Sequence, residues 1–339
     1  MHEALGCVQH FEGKPLIKNI RTLGFLAIGA FTLSAVYALI AKDNAAERSF
    51  DDDDKQSSHH TINGDSGEFV LTDDDYKIKA EWRGDYSLDD LGAALAELDD
   101  ELEIEIKQDG VKERVKFERR DGAIGATYYR DGDKLPEGEE ADQAAAALFL
   151  KFLRISGLKA DERVSALLKT GDAASVLKEI NALERDRAKR RYAVALIEQR
   201  DLSPTEIDAL SQAFEQIKSD QDLRIAIAAV LENETLTAAQ AAQLLTIAAK
   251  QIESDHDLRL VLSASADFFS KNSDFDDAWM DAYAGLQSSY DQRLALETIA
   301  SAAKDDPALL AAYRKAAQAI SDDTGRERAL EAIGEETER

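Results

Sequence analysis

Apolar and charged residues alternate along the middle of the chain, most regularly in Tyr76–Arg83 and in 102–107. A period of two is typical of antiparallel strands with one buried face. Asp-Gly dipeptides at 109–110 and 121–122 supply the two left-handed positions of tight hairpin turns. The sequence therefore predicts a small antiparallel β-sheet domain over 67–140, with one face covered and the other charged.

Leucines recur at helical spacing between the predicted strands. Ser87 stands where it would cap a helix, and one stripe of the helix would carry Leu88, Leu91, Leu95 and Leu98. We therefore expect a helix over 87–98 that packs on the sheet.

Two aromatic residues of the sheet domain, Trp82 and Tyr128, are open to two interpretations. They fill the core between sheet and helix, or they line a ligand groove. The first is favoured, because large aromatic side chains bury the most apolar area.

The apolar residues of the C-terminal part, 141–339, follow a helical period and repeat along the chain. The aligned segments are LERDRAKRRYAVAL from Leu183, IKSDQDLRIAIAAV from Ile217, IESDHDLRLVLSAS from Ile252, LQSSYDQRLALETI from Leu286 and ISDDTGRERALEAI from Ile320. Their aligned arginines are Arg190, Arg224, Arg259, Arg293 and Arg326, separated by 34, 35, 34 and 33 residues. One helical hairpin cannot bury its own apolar face, so the repeat predicts an α-solenoid of helical hairpins, each of about 34 residues.

An aspartate stands four residues before three of these arginines, at Asp186, Asp220 and Asp255. Such a pair can form within the first turn of a helix, where the acid also favours the helix dipole. A structural, repeat-joining role is favoured over catalysis, because an active site need not recur in every copy. We expect the arginine to reach carbonyls or acids at the end of the previous hairpin.

A stretch of twenty uncharged residues, 22–41, is long enough for a transmembrane helix. Lys14, Lys18 and Arg21 precede it, which predicts a cytoplasmic N-terminus, 1–21, and a periplasmic C-terminal bulk. The expected location is the inner membrane, as a single-pass protein. A cleaved signal peptide is the alternative, and an anchor is favoured by the length of the stretch.

Small residues recur at a spacing of four within this stretch, at Ala30, Ser34 and Ala38. They would let two membrane helices approach closely, so a homodimer is a possible but not a favoured prediction. A flexible acidic linker is expected over 42–66, which includes His59 and His60 and the run Asp-Asp-Asp-Asp-Lys at 51–55. That run also matches the recognition sequence of enteropeptidase, which we interpret as a coincidence of composition in an acidic linker.

The composition of the chain argues against several classes of function. The chain has 41 Lys and Arg against 67 Asp and Glu, a formal charge of -26, which argues against a nucleic-acid partner. Its single cysteine excludes a disulfide framework. The sequence has no zinc-ligand spacing, phosphate loop or nucleophile motif, so we expect no cofactor, no metal and no enzymatic activity.

The SDxDLR sequences at the junctions between repeats resemble those of repeats in bacterial envelope proteins. Similar repeats follow the peptidase domain of antibiotic-sensor-like membrane metallopeptidases. The resemblance covers about 66–335, and the His-Glu-x-x-His motif of the peptidase is absent. It implies an anchored ectodomain without the enzyme. The expected function is a non-catalytic interaction or scaffold module that binds another envelope protein, as an accessory to a signalling or stress-response system. The alternative is a small-ligand sensor or an enzyme that uses a groove on the sheet domain.

Overall fold

The computed structural model describes residues 57–63, 65–72 and 76–335. They form an α+β protein in which an antiparallel sheet precedes a series of helices, as the sequence predicted. The predicted membrane segment, 22–41, with its small residues Ala30, Ser34 and Ala38, lies outside these ranges. Of the helices that are described, none combines the length and the apolar character that crossing a bilayer requires.

The main sheet has seven strands in the order β1-β2-β3-β6-β7-β8-β9, and every neighbouring pair is antiparallel. β1 lies within the segment expected to be a linker, so that prediction was wrong for 57–63. The segment lacks an apolar pattern, but it pairs with β2 through backbone hydrogen bonds, which any sequence can form. The strands of this sheet are β1 (Ser57–Asn63), β2 (Ser66–Thr72), β3 (Tyr76–Arg83), β6 (Glu101–Gln108), β7 (Val111–Arg120), β8 (Ala123–Arg130) and β9 (Asp133–Lys134).

Both predicted Asp-Gly turns are present. Asp109 and Gly110 have φ values of 52° and 81°, and they join β6 to β7 as a two-residue loop. The dipeptide at 121–122 joins β7 to β8, and a third at 131–132 joins β8 to β9. Two positive φ angles give the turn a twist that matches the twist of the strands.

The two faces of the sheet differ as the alternation predicted. The covered face is apolar, and it carries Phe69, Leu71, Ile78, Ala80, Trp82, Leu102, Ile104, Ile106, Val115, Phe117 and Tyr128, all buried. The open face carries cross-strand ion pairs, among them Lys112 with Glu105 at 2.8 Å and Lys116 with Glu101 at 3.2 Å. These pairs lie in water, so each contributes little to stability.

The helix expected over 87–98 does not form. The chain instead makes a separate hairpin of β4 (Tyr86–Leu88) and β5 (Leu95–Leu98). The carboxylate of Asp89 accepts hydrogen bonds from the amides of Ala93 and Ala94, and Gly92 has a φ of +65°, so the turn is fixed locally. Leu91, which the helix would have buried, is 62% exposed.

The helix that covers the sheet is α1 (Glu139–Ser156), which the sequence assigned to the helical part. Phe149 of α1 packs edge-on against Phe117, with ring centroids 5.6 Å apart. Phe152 packs in the same way on Phe69, at 6.0 Å. Because the rings of α1 pack against the rings of the sheet, the first helix and the sheet share one hydrophobic core.

Twelve helices lie in the described part of the chain, and from α2 onwards they alternate between two rows. The even-numbered helices contact one another in succession, α2 to α12, and form the first row. In the second row, α3, α5, α7 and α9 likewise contact one another in succession. The remaining helices are α2 (Ala160–Thr170), α3 (Ala173–Ala182), α4 (Asp186–Gln199), α5 (Pro204–Phe214), α6 (Asp220–Asn233), α7 (Ala238–Gln251), α8 (Asp255–Ala264), α9 (Ser273–Tyr283), α10 (Ser289–Lys304), α11 (Pro307–Gln318) and α12 (Asp323–Ala332).

Helix caps set the register of the repeat. In the first row, Ser219 accepts a hydrogen bond from the amide of Asp222, and Ser254 and Ser288 do the same in α8 and α10. In the second row, α5 and α7 begin with complete capping boxes. The cap of α9 is Asn272, whose side chain accepts hydrogen bonds from the amides of Asp274 and Phe275. A second hydrophobic core, separate from that of the sheet, runs between the rows.

Candidate functional site

The repeated aspartates connect successive helices of the first row. Asp220 is the first residue of α6, and its carboxylate accepts hydrogen bonds from the backbone amides of Glu253 at 3.0 Å and Ser254 at 2.7 Å, where α8 begins. The same pair of bonds joins Asp186 to Lys218 and Ser219, and Asp255 to Gln287 and Ser288.

The repeated arginines make a second connection in the same direction. Nε of Arg224 donates to Oδ1 of Asp257 in the next first-row helix, at 2.7 Å. Equivalent bonds join Arg190 to Asp222 at 2.6 Å and Arg259 to Asp291 at 2.8 Å. The six side chains are only 11–16% exposed. The expected repeat-joining contact thus runs forward to the next helix and not back to the previous hairpin.

Helix geometry explains why the aspartate and the arginine four residues apart pair with different partners. Positions 1 and 5 of a helix lie about 40° apart around its axis, whereas positions 3 and 5 lie about 200° apart. Asp220 and Arg224 therefore both lean towards the following helix, while Asp222 at position 3 faces the preceding one. The in-helix pairs that the spacing allowed are replaced by contacts between successive first-row helices. We call these contacts, made by Asp186, Arg190, Asp220, Arg224, Asp255 and Arg259, the ladder.

The ladder changes at the C-terminal end. Ser289 takes the place of the aspartate and bonds Ser321 at 2.8 Å through their hydroxyl groups. Position 3 of α12 is Gly325, so Arg293 pairs within its own helix with Glu297 at 2.7 Å. Arg326 is at position 4, one residue out of register, and donates to the carbonyl of Ile320 at 3.2 Å. The alignment of Arg326 with the other arginines was therefore wrong by one residue.

Beside the ladder, positions 2, 6 and 9 of α6, α8 and α10 form a surface that we call the outer strip. These positions lie within about 60° of one another on a helix, so they share one face. The strip consists of Gln221, Ile225, Ala228, His256, Leu260, Ser263, Tyr290, Leu294 and Glu297, and each of them is exposed or half-buried. Tyr290 is 62% exposed, with the guanidinium of Arg293 5.3 Å from its ring.

The outer strip is almost uncharged in a chain of which 32% is charged. Glu297 is the acidic residue of the strip, and its carboxylate pairs with Arg293. Position 6 holds Ile225, Leu260 and Leu294 in the three helices. These three side chains are half-buried, and Tyr290 is the large apolar residue of the strip that is exposed.

Trp82 and Tyr128 lie on the covered face of the sheet, but they do not come together. β6 and β7 separate their strands, a distance of roughly 14 Å at the usual strand spacing. Tyr128 is buried, and its hydroxyl donates to the carboxylate of Glu113; burial and this hydrogen bond raise the pKa of Tyr128. The covered face is filled by α1, so the two aromatics do not line a common groove.

Trp82 borders a shallow depression of about 400 Å³ at the edge of the sheet. Its ring lies against Gly67, where a Cβ would come within 2.3 Å of the indole. The acids at the rim include Glu68 and Glu81, and Lys79 pairs with both, at 3.5 and 2.5 Å. These carboxylates are solvated and share one lysine, whereas the carboxylates of an acid–base site need apolar surroundings.

A buried charge cluster, which the sequence analysis missed, joins the sheet domain to the helices. Arg154 of α1 donates two hydrogen bonds to the carboxylate of Glu179, at 2.8 and 2.9 Å. Arg163 of α2 donates to Glu179 at 2.7 Å and to the carbonyl of Gly92 in the β4–β5 turn. Burial alone would raise the pKa of Glu179, but the two guanidinium groups outweigh it and hold that pKa below its usual value.

Other perturbed acids stand apart from one another. Burial raises the pKa of Glu198, Glu232 and Asp276. Asp276 accepts a hydrogen bond from the amide of Ser270 at 2.8 Å, which fixes the loop before α9. Among the side chains that the structure describes, no three metal-ligating groups converge.

Comparisons with models of protein families, with curated proteins and with solved structures give no match to this chain.

Proposed function

We propose that the protein is a membrane-anchored periplasmic scaffold whose helical repeats form an α-solenoid and bind another envelope protein through the outer strip. Residues 1–21 would lie in the cytoplasm, and 22–41 would form the anchor in the inner membrane. The observation that carries the proposal is the outer strip itself: three adjacent helices present apolar residues at equivalent, accessible positions.

The ladder supports this role because it fixes the spacing of the helices that carry the strip. Each joint has two backbone hydrogen bonds to an aspartate and one half-buried ion pair, and both cross between neighbouring helices. A binding surface made of several helices needs such a fixed arrangement, since ordering it on binding would cost free energy.

The dimensions of the strip indicate the kind of partner. Positions 2 to 9 span about 10 Å along each helix, and three helices at the usual separation span about 16–20 Å across. This area suits one amphipathic helix or extended segment of a partner, with Tyr290 and the leucines as anchors.

The alternative, a sensor or enzyme at the sheet, has weaker support. The covered face is filled by aromatic side chains of α1, and the depression beside Trp82 is shallow and lined by paired charges.

A crosslinking pull-down from membranes tests the proposal. The full chain is compared with the variant Ile225→Lys/Leu260→Lys, which places two charges in the centre of the strip. We expect recovery of a reproducible partner to fall at least tenfold. The matched control is Gln243→Lys/Thr246→Lys, which adds the same charges at exposed positions of α7, in the second row.

Equal recovery from both variants would reject the outer strip as the binding surface. Recovery of the same partner by a chain that lacks 183–335 would reject the repeats altogether. Unchanged far-UV circular dichroism and urea midpoints in both variants show that the helices remain folded.

A further inference from the structure

The C-terminal ends of α4 and α6 each carry a glutamate on the side of the outer strip. Glu198 is position 13 of α4, and Glu232, 34 residues later, is position 13 of α6. Position 13 lies within about 40° of positions 2, 6 and 9 around a helix axis, so it belongs to the same face. Glu232 therefore borders the strip on α6, and Glu198 lies at the equivalent place on the neighbouring first-row helix.

The fold does not stabilise these two carboxylates. The aspartates of the ladder accept hydrogen bonds, whereas Glu198 and Glu232 make no hydrogen bond or ion pair with any residue that the structure describes. Each is in the last turn of its helix, at the negative end of the helix dipole, and neither last turn contains a basic residue. Both side chains are open to solvent, and partial burial raises the pKa of each carboxyl group. A cation from a binding partner would relieve this unfavourable placement.

The charge around the strip indicates the charge of its occupant. The chain has 67 acidic and 41 basic residues, an excess of 26 acids. Within the strip, the acid Glu297 is paired with Arg293, so the carboxylates of Glu198 and Glu232 are the unneutralised charges at its border. A partner segment with apolar residues on one face and cations on the adjoining flank matches both features, whereas an acidic segment would meet like charges.

We propose that the outer strip binds an amphipathic helix of a partner protein, whose Lys or Arg side chains, seven residues apart, pair with Glu198 and Glu232. The proposal rests on the proposed function, because it takes the strip as the binding surface, and it adds the chemistry of the partner. Seven residues of a helix rise about 10.5 Å, close to the separation of roughly 8–10 Å between neighbouring helices. The two acids lie about 6 Å beyond position 9 along their helices, a distance that a lysine or arginine side chain can span.

Two synthetic peptides of equal composition test the proposal without a known partner. Both are helices of about 18 residues with leucine on one face, long enough to cross three first-row helices. In the flank peptide, lysines at seven-residue spacing adjoin the leucines; in the back peptide, the same lysines lie opposite them. Binding to the full chain in phosphatidylcholine nanodiscs is measured by fluorescence anisotropy, with empty nanodiscs as the blank. We expect the flank peptide to bind about tenfold more tightly, because it forms two additional ion pairs.

Two matched variants separate these carboxylates from the net charge of the chain. In the glutamine variant, Glu198→Gln/Glu232→Gln, the two peptides should bind within about twofold of each other, because the ion pairs are lost and the apolar contacts remain. The asparagine control, Asp277→Asn/Asp281→Asn, removes two charges from exposed positions of α9 in the second row. It should keep the tenfold preference of the wild type.

A preference for the flank peptide that survives in the glutamine variant would overturn the proposal. A preference that falls equally in the asparagine control would also overturn it, because the effect would then be one of net charge. Equal binding of the two peptides by the wild type, or binding of neither, would reject the basic partner. The urea midpoint of the glutamine variant should equal or exceed that of the wild type, and a lower midpoint would overturn the premise that the two carboxylates are unfavourable in the free protein.

The variant Ile225→Lys/Leu260→Lys distinguishes a failure of this proposal from a failure of the proposed function. It should weaken the binding of both peptides at least tenfold, because both use the apolar face. If it does so while the wild type binds the two peptides equally, the outer strip remains the binding surface and the basic partner is rejected. If it leaves the binding of both peptides unchanged, the strip itself is rejected, and the proposed function with it.

Discussion

A double-mutant cycle on Arg224 and Asp257 tests whether the ladder joins neighbouring helices. Their bond of 2.7 Å connects side chains that are 14% and 15% exposed. Removing one partner of a buried pair costs about 3–5 kcal/mol, whereas fully exposed pairs contribute about 0.2–1 kcal/mol. We expect an intermediate coupling energy of about 1.5–2 kcal/mol for Arg224→Ala with Asp257→Ala.

The same cycle on Asp220 and Arg224 measures the in-helix pair that the sequence allowed. In the structure these side chains bond to different partners, so their coupling should stay below about 0.5 kcal/mol, the usual limit for pairs four residues apart. Asp220→Ala should still cost about 2–3 kcal/mol on its own, because two backbone amides lose a charged acceptor.

Urea unfolding followed by circular dichroism supplies the free energies, provided that the m-value is unchanged among the variants. The exposed pair of Asp323 and Arg326, with side chains 83% and 34% exposed, serves as the control and should couple by less than about 0.5 kcal/mol. A coupling of Arg224 with Asp257 no larger than that of this control would refute the argument. A coupling energy of Asp220 with Arg224 that is larger than that of Arg224 with Asp257 would also refute it.

Three further predictions address other parts of the molecule. Glu179→Gln should cost about 3 kcal/mol at pH 7 in urea unfolding. The pKa of Glu179 is lower in the folded state than in the unfolded state, so its carboxylate stabilises the fold fully above the unfolded pKa of about 4.3, and this stabilisation is lost as the pH falls through the folded-state pKa. The variant should therefore lose less free energy of unfolding than the wild type as the pH falls from 5 to 3. Trp279 is fully buried, and its indole N–H donates to the carbonyl of Leu262 at 3.2 Å. Trp279→Ala should therefore lower the free energy of unfolding by about 3–5 kcal/mol, and Trp279→Phe should lower it by clearly less. Equal losses in the two variants would contradict the packing argument. Reporter fusions after Leu71 and after Gly334 should be active only with a periplasmic reporter, and activity of a cytoplasmic reporter at either position would contradict the proposed topology.

Local chain geometry was sufficient to predict the central strands of the main sheet and two of its turns, but not β1 or the hairpin of β4 and β5. A strand shows its side chains alternately on two faces, so the pattern of Tyr76–Arg83 already separates the covered side from the charged one. The Asp-Gly turns were predictable for the same reason, because positive φ angles depend on the residues in the turn itself. The repeat of about 34 residues was likewise evident from the sequence, since equivalent positions recur in successive helices.

The partner of each side chain was decided only by the tertiary structure. The segment 87–98 has a leucine pattern that fits a helix, but Asp89 and Gly92 close a hairpin whose buried residues pack beside the sheet. The spacing of Asp220 and Arg224 allowed a bond within one helix, but both side chains bond instead to groups at the start of the next helix. Sequence spacing fixes which face of a helix a residue occupies, whereas its bonding partner depends on which element packs against that face.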